Sequence, residues 1–195
     1  MPLQLKEHHI AGKCPMPTSQ KIIEQTIKWI TEVVVACHFC PFAAQVIKEQ
    51  KVHYEVATDT AMESCLSTVL RELTRLDNDS NIETTFLIFP GAFAQFDDFL
   101  GLVALAEQRL KQKRYNGIYQ LASFHPLYRF ADATDNDAAN YTNRSIYPML
   151  HLLREASIDK ALEHYKDPEN IPIANIAFAR CKGLAAMNKL REPCF

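Results

Sequence analysis

No stretch of the chain is apolar enough to cross a membrane as a helix. Apolar runs are short: Val33-Val34-Val35-Ala36-Cys37, which no other run exceeds, stops at His38, far short of the ~20 residues a span needs. An apolar signal core is missing too: residues 1–13 carry Lys6, Glu7, His8 and His9, so a cytoplasmic protein with no membrane partner is expected. Charge of one sign is also lacking. The net charge is −2, lysine and arginine are dispersed, and there is neither a basic stripe nor an acidic tail, which argues against a nucleic-acid partner. Repeats and low-complexity tracts are absent.

What is present suits a globular domain. Apolar residues make up 48% of 195 residues, enough for one full core. Six cysteines, at 14, 37, 40, 65, 181 and 194, are expected as reduced thiols in the cytoplasm rather than as a disulfide framework. Residues 1–17, with Pro2, Gly12, Pro15 and Pro17 and no periodicity, read as an irregular arm. Residues 18–195 read as a single α/β domain.

Within that domain the patterns alternate. Thr18 or Ser19 can cap a helix whose apolar face runs Ile22, Ile23, Thr26, Ile27, Ile30, Val33 and Val34. It should end near Ala36, and Pro41 can open the next helix, to about Gln50. Val52 to Val56 alternates as a strand. A helix over 60–76 and a turn over 77–81 follow. Thr84 to Phe89 is a buried strand stopped by Pro90-Gly91, and a helix over 95–114 ends before Gly117. Ile118 to Phe124 is a third strand. This order predicts a small three-stranded sheet, parallel or mixed, with crossover helices. A long ordered loop over 125–144 comes next, too aromatic for disorder. A helical C-terminal third completes the chain, with helices at 145–156, 157–165 and 172–190.

Chemistry concentrates in two places. The first is Cys37-His38-Phe39-Cys40-Pro41-Phe42. Cys40 stands at the start of the helix begun by Pro41, where free N–H groups and the helix dipole favour a thiolate. Cys37 could pair with it as a redox couple, although a thioredoxin-like motif should follow a strand rather than a helix. A zinc site needs two further ligands, and no second close cysteine pair supplies them. The plain alternative is two small buried side chains.

The second place runs from His125 to His151. His125 follows the third strand, where ligands of open parallel sheets bind, and could serve as a general base. Asp132, Asp135 and Asp137 lack the glycine and spacing of a calcium loop. In Asn140-Tyr141-Thr142-Asn143-Arg144-Ser145, Arg144 beside a helix capped by Ser145 would hold a phosphate or carboxylate. The alternative is an arginine and asparagine set that pins the loop through backbone carbonyls. His151 and Glu155, four apart on that helix, form an acid–base or a surface pair.

These segments resemble the bacterial family called domain of unknown function 1415. The resemblance rests on Cys40-Pro41-Phe42-Ala43, Phe86-Leu87-Ile88 with Pro90-Gly91, Ser123-Phe124-His125-Pro126 with Tyr128 and Phe130-Ala131-Asp132, Asn140 to Ser145 with Tyr147-Pro148, His151 to Glu155, Ile171-Pro172, and Asn175-Ile176. It spans about residues 20 to 180. A cysteine at position 37 is not a hallmark of that family, which points to Cys40 acting alone. The resemblance implies no activity and no cofactor.

The resulting expectation is an enzyme acting on a small phosphate- or carboxylate-bearing metabolite. Cys40 would be the nucleophile and His125 the base. Asn140, Tyr141, Asn143, Arg144, Ser145 and His151 would bind the ligand, with no metal. One alternative is a non-catalytic module binding a small anion. Another is a zinc or redox protein using Cys37 and Cys40.

Overall fold

A computed structural model describes residues 16–163 and 165–195. The expected arm, apart from Met16 and Pro17, lies outside the described residues, as does Cys14. The first helix, α1 (Ser19–Trp29), is capped by the Thr18 hydroxyl, which accepts from Lys21 N. It continues without a break into a π-helical segment, Ile30–Val35. Each turn there takes an extra residue, as in Ala36 N to Thr31 O. Such turns are rare and concentrate at functional sites. Here the wide turn leaves Trp29, Ile30, Val33 and Val34 all buried. Two short elements follow, α2 (Ala43–Lys48) and strand β1 (Val52–Val56).

The sheet then builds by crossovers. Helix α3 (Met62–Asn78) leads to β2 (Thr84–Ile88), and α4 (Phe96–Gln112) leads to β3 (Tyr119–Phe124). The sheet has four strands, in the order β1-β2-β4-β3. The fourth, β4 (Met149–Arg154), lies antiparallel between β2 and β3, while β1 pairs β2 in parallel. The mixed α/β class is as expected, but the count of three strands is corrected to four. The error lies at residues 145–156, expected as a helix. Met149 to Leu153 are all buried, because a central strand is covered on both faces. Its apolar run therefore lacks the alternation that distinguishes a strand.

Two layers of helix cover the sheet. Leu66, Val69, Leu73, Phe99 and Leu102 of α3 and α4 pack on Leu87, Leu150 and Leu152. On the other face, α1 with its π-helical extension packs on Phe86, Ile88 and Met149, joined by Ala179 and Met187 of the C-terminal helices. Each fully buried leucine or phenylalanine contributes about 2 kcal/mol. The C-terminal third holds α5 (Glu155–Leu162), α6 (Ile171–Lys182) and α7 (Leu184–Arg191). The helix expected over 172–190 is broken at Gly183, whose φ of +81° suits glycine. Between β3 and β4 the chain is ordered around a 3₁₀ turn, Ala138–Thr142, all of whose residues are buried.

Candidate functional site

The register of the sheet sets one row of side chains across all four strands. Tyr54 pairs with Phe86, Phe86 with His151, and His151 with Ala122. These residues face α1. The His151 ring stacks on Phe86 with 3.9 Å between centroids and 11° between planes, and Tyr54 stacks on the far side of Phe86 at 6.0 Å. Above the row, the fully buried Trp29 meets Phe124 edge-on at 5.3 Å and donates from Nε1 to Arg144 O. A cavity of about 40 Å³ remains between helix and sheet, bounded among others by Trp29, Phe86, Val46, Thr84, His151 and Cys40. It has room for about two waters or a group of two to three heavy atoms.

The polar groups on its wall are held in defined states. Thr84 Oγ1 lies 2.6 Å from Leu152 O and 2.6 Å from His151 Nε2. A carbonyl can only accept, so the hydroxyl proton points to Leu152. Thr84 Oγ1 must then accept from His151, which places the ring proton on Nε2 and the lone pair on Nδ1. Burial pushes the His151 pKa down to about 3, so the ring is neutral at neutral pH. Cys40 follows a turn in which His38 takes a left-handed φ of 56°. That turn is anchored by Asn175, whose Nδ2 donates to Phe39 O at 2.7 Å. Burial raises the Cys40 thiol pKa, against the opposing hydrogen bonds of the Phe42 and Ala43 amides. The thiol and the imidazole are both uncharged in this apolar site.

The expected partnership of Cys40 with His125 is corrected. His125 is fully buried on the α4 side, its ring 5.2 Å from Phe96 and 5.1 Å from Phe99. Its Nε2 donates to Phe93 O at 2.8 Å, and its Nδ1 accepts from Leu127 N at 3.0 Å. Both nitrogens are committed to backbone, and burial lowers the pKa. Cys40 packs on the opposite, α1 side of the sheet. The imidazole that shares a cavity with Cys40 is His151, and it reaches there from a strand, not from the expected helix that would have paired it with Glu155.

The expected anion site is likewise corrected. Arg144 Nε donates to Tyr128 O at 2.9 Å and Nη2 to Asp135 O at 2.8 Å, with the guanidinium over the Tyr141 ring. Asn140, fully buried, accepts from Phe130 N and donates to Thr134 O. Asn143 donates to Ser123 O, and the Tyr141 hydroxyl donates to Asn188. Ser145 caps no helix; its hydroxyl donates to Tyr147 O. The motif is a clamp that fixes the long loop through backbone carbonyls.

Cys37 is buried, with its thiol pKa raised by burial. Among the described residues, the one group of three metal-ligating side chains is His53, Glu55 and Glu72, away from both cysteines. His53 and Glu55 alternate on β1 toward α3. Arg71 bonds Glu55 at 2.6 Å, and Arg75 bonds the fully buried Glu72 at 2.9 Å. His53 Nε2 lies 3.3 Å from Glu72. The two guanidiniums already balance the two carboxylates, so the group is an ion-pair network tying β1 to α3. The alternation of Val52 to Val56 held a signal for its β1 half. Thr84, by contrast, becomes recognisable only once β4 is known to lie beside it.

Fold and site together define an α/β protein with a mixed four-stranded sheet and an apolar cavity beneath its first helix. The family model described as protein of unknown function (DUF1415) matches residues 21–189, and the chain belongs to that family. Neither a curated protein nor a solved structure matches it.

Proposed function

We propose that the protein binds a small, uncharged molecule or apolar group in the cavity between Trp29 and the Phe86–His151 stack. The observation that carries this reading is an almost wholly apolar lining in which aromatic walls stand beside the Cys40 thiol and a His151 ring that burial holds neutral. Neither forms a charge that would need a counter-ion, and an apolar-lined void of this kind takes up apolar ligands. Xenon is the direct probe. Under xenon pressure, methyl resonances of Ile30, Val34 and Val46 should shift together, and those of Leu66 and Leu102, in the opposite core, should not. Unmoved methyls at all three positions would refute the cavity as a binding site.

A second reading, thiol chemistry at Cys40 on a small metabolite, is favoured by one feature: the backbone amides of Phe42 and Ala43, next to Cys40 in the chain, work against burial and pull its thiol pKa down. These donors would stabilise a thiolate once formed. His151 would then be the only imidazole of the cavity able to take the proton. This enzyme reading requires Cys40 to react with alkylating agents at a pH below the ordinary thiol range.

A further inference from the structure

Two arginines near the C-terminal helices lack a counter-ion. Arg191, the last residue of α7, is half-buried, and its enclosed Nε has no hydrogen-bond partner among the described residues. It faces the Tyr141 hydroxyl, while Arg144 lies over the ring of the same tyrosine, 5.1 Å from its centroid. The backbone carbonyls that hold Arg144 carry no net charge. Nearby acids are spoken for, Asp135 by Arg129 and Asp137 by Arg180. Burial, and after it the like charge of Arg144, push the Arg191 pKa down, and what opposes them is Tyr141 and Cys194 rather than a carboxylate. Arginine nevertheless stays charged, and enclosed charges in folded proteins are normally paired. Arg191 lines a cleft of about 330 Å³ with Asn188, Glu192 and Phe195, which shares no lining residue with the cavity beneath α1. Its volume is that of a small-molecule pocket, about 300 Å³ or more. Asn188 stands one turn before Arg191 on the same face of α7. Its Oδ1 accepts from the Tyr141 hydroxyl, which leaves Nδ2 to donate.

We infer that this cleft binds phosphate, free or as the end of a small molecule, with the Arg191 guanidinium and the Asn188 amide as donors and Arg144 as a second positive charge. A guanidinium fork takes two phosphate oxygens at once, which would give the orphaned Nε its acceptor. Two uncompensated guanidiniums suit phosphate, with a charge of about −1.5 to −2 at neutral pH, better than a singly charged carboxylate. Glu192, exposed at the cleft, forms no ion pair with Arg191 and opposes the anion, so it limits the affinity rather than filling the site.

Nitrogen-15 NMR of the whole chain reads these donors directly. Inorganic phosphate is titrated at neutral pH and constant ionic strength, with chloride as the control anion. The Arg191 Nε–H and Asn188 Nδ2 resonances should shift to saturation with one shared Kd. Arg191→Gln should weaken the Kd read at Asn188 at least about tenfold, as expected for losing hydrogen bonds to a charged group. Glu192→Gln should tighten it about two- to fivefold, as for removing one nearby like charge at the surface. Glycerol phosphate separates the two sources: a tighter Kd than that of inorganic phosphate marks a phosphate ester whose remainder occupies the cleft, and an equal Kd marks free phosphate. Resonances that respond to phosphate and chloride alike, or not at all, overturn the proposal and leave the Arg191 Nε to water. So does a Kd unchanged in Arg191→Gln. Should that variant not fold, Glu192→Gln, at an exposed position, decides: a Kd that fails to tighten overturns the proposal.

Discussion

At the scale of single residues, the environment of a group decides its chemistry more than its type does. Cys40 carries the expectation of a lowered pKa, because a helix start offers amides and a dipole. Those amides are there, but the surrounding Trp29, Val34, Phe42 and Phe86 remove water from the thiolate, and that cost is the larger. The alkylation midpoint of Cys40 is therefore expected above the ~8.5 of a free thiol. A midpoint below it would establish the thiolate and move the balance to the enzyme reading. Arg144 teaches the same lesson from the other side. Its sequence neighbours announce a hydrogen-bonding cluster, and a cluster exists. What a sequence cannot carry is the acceptors, since Tyr128 O and Asp135 O are backbone atoms brought in by the path of the loop.

At the scale of elements, local signals held where an element has one dry and one wet face or where, as in β2, turn residues bound a short buried run. The amphipathic helices α1, α3 and α4 were legible from their period, as were β1 by alternation and β2 and β3 as bounded apolar runs. The failure at β4 has a physical cause: a strand buried on both faces has no period of its own. That single miss also hid the site, because His151 meets Phe86 and Thr84 only through strand pairing. The 125–148 loop depends on one side chain in particular. Asn140 holds Phe130 N and Thr134 O from a fully buried position. Asn140→Ala leaves both backbone groups unpaired, and a stability loss of about 2–3 kcal/mol is expected in urea unfolding at neutral pH. Limited proteolysis should then cut first between 125 and 148. A loss below about 0.5 kcal/mol would mean that the clamp is carried by Arg144 and Asn143 instead.

At the scale of the whole molecule, two buried groups on opposite faces of the sheet govern the response to acid. Glu72 is buried, which alone would raise its pKa, but His53 and the Arg75 and Arg71 guanidiniums hold it down at about 2, against an ordinary 4.5. Its folded pKa is below the unfolded one, so its contribution is complete above pH 4.5 and is lost as pH falls from there toward 2. It amounts to about 2 kcal/mol, after a discount for the solvent around the half-exposed arginines. His151 acts earlier. The unfolded ring takes up a proton below its ordinary 6.5, while the folded ring stays neutral down to about 3. Between those values the unfolded state binds more protons, and stability falls with pH by up to about 5 kcal/mol. The pH profile of the urea midpoint should therefore bend twice, first below pH 6.5 and again, more steeply, below pH 4.5. His151→Phe keeps an aromatic ring on Phe86 and leaves Thr84 donating to Leu152, so it should fold and should weaken the first bend while leaving the second, with His125 carrying what remains of the first. Glu72→Gln should weaken the second alone. If the first bend survives His151→Phe at full depth, His151 does not carry it. His125, whose folded pKa is also lowered by burial, would then be the group to substitute next. Two separable limbs, one from each face, would show that the sheet is the common support on which both the ion-pair network and the cavity depend.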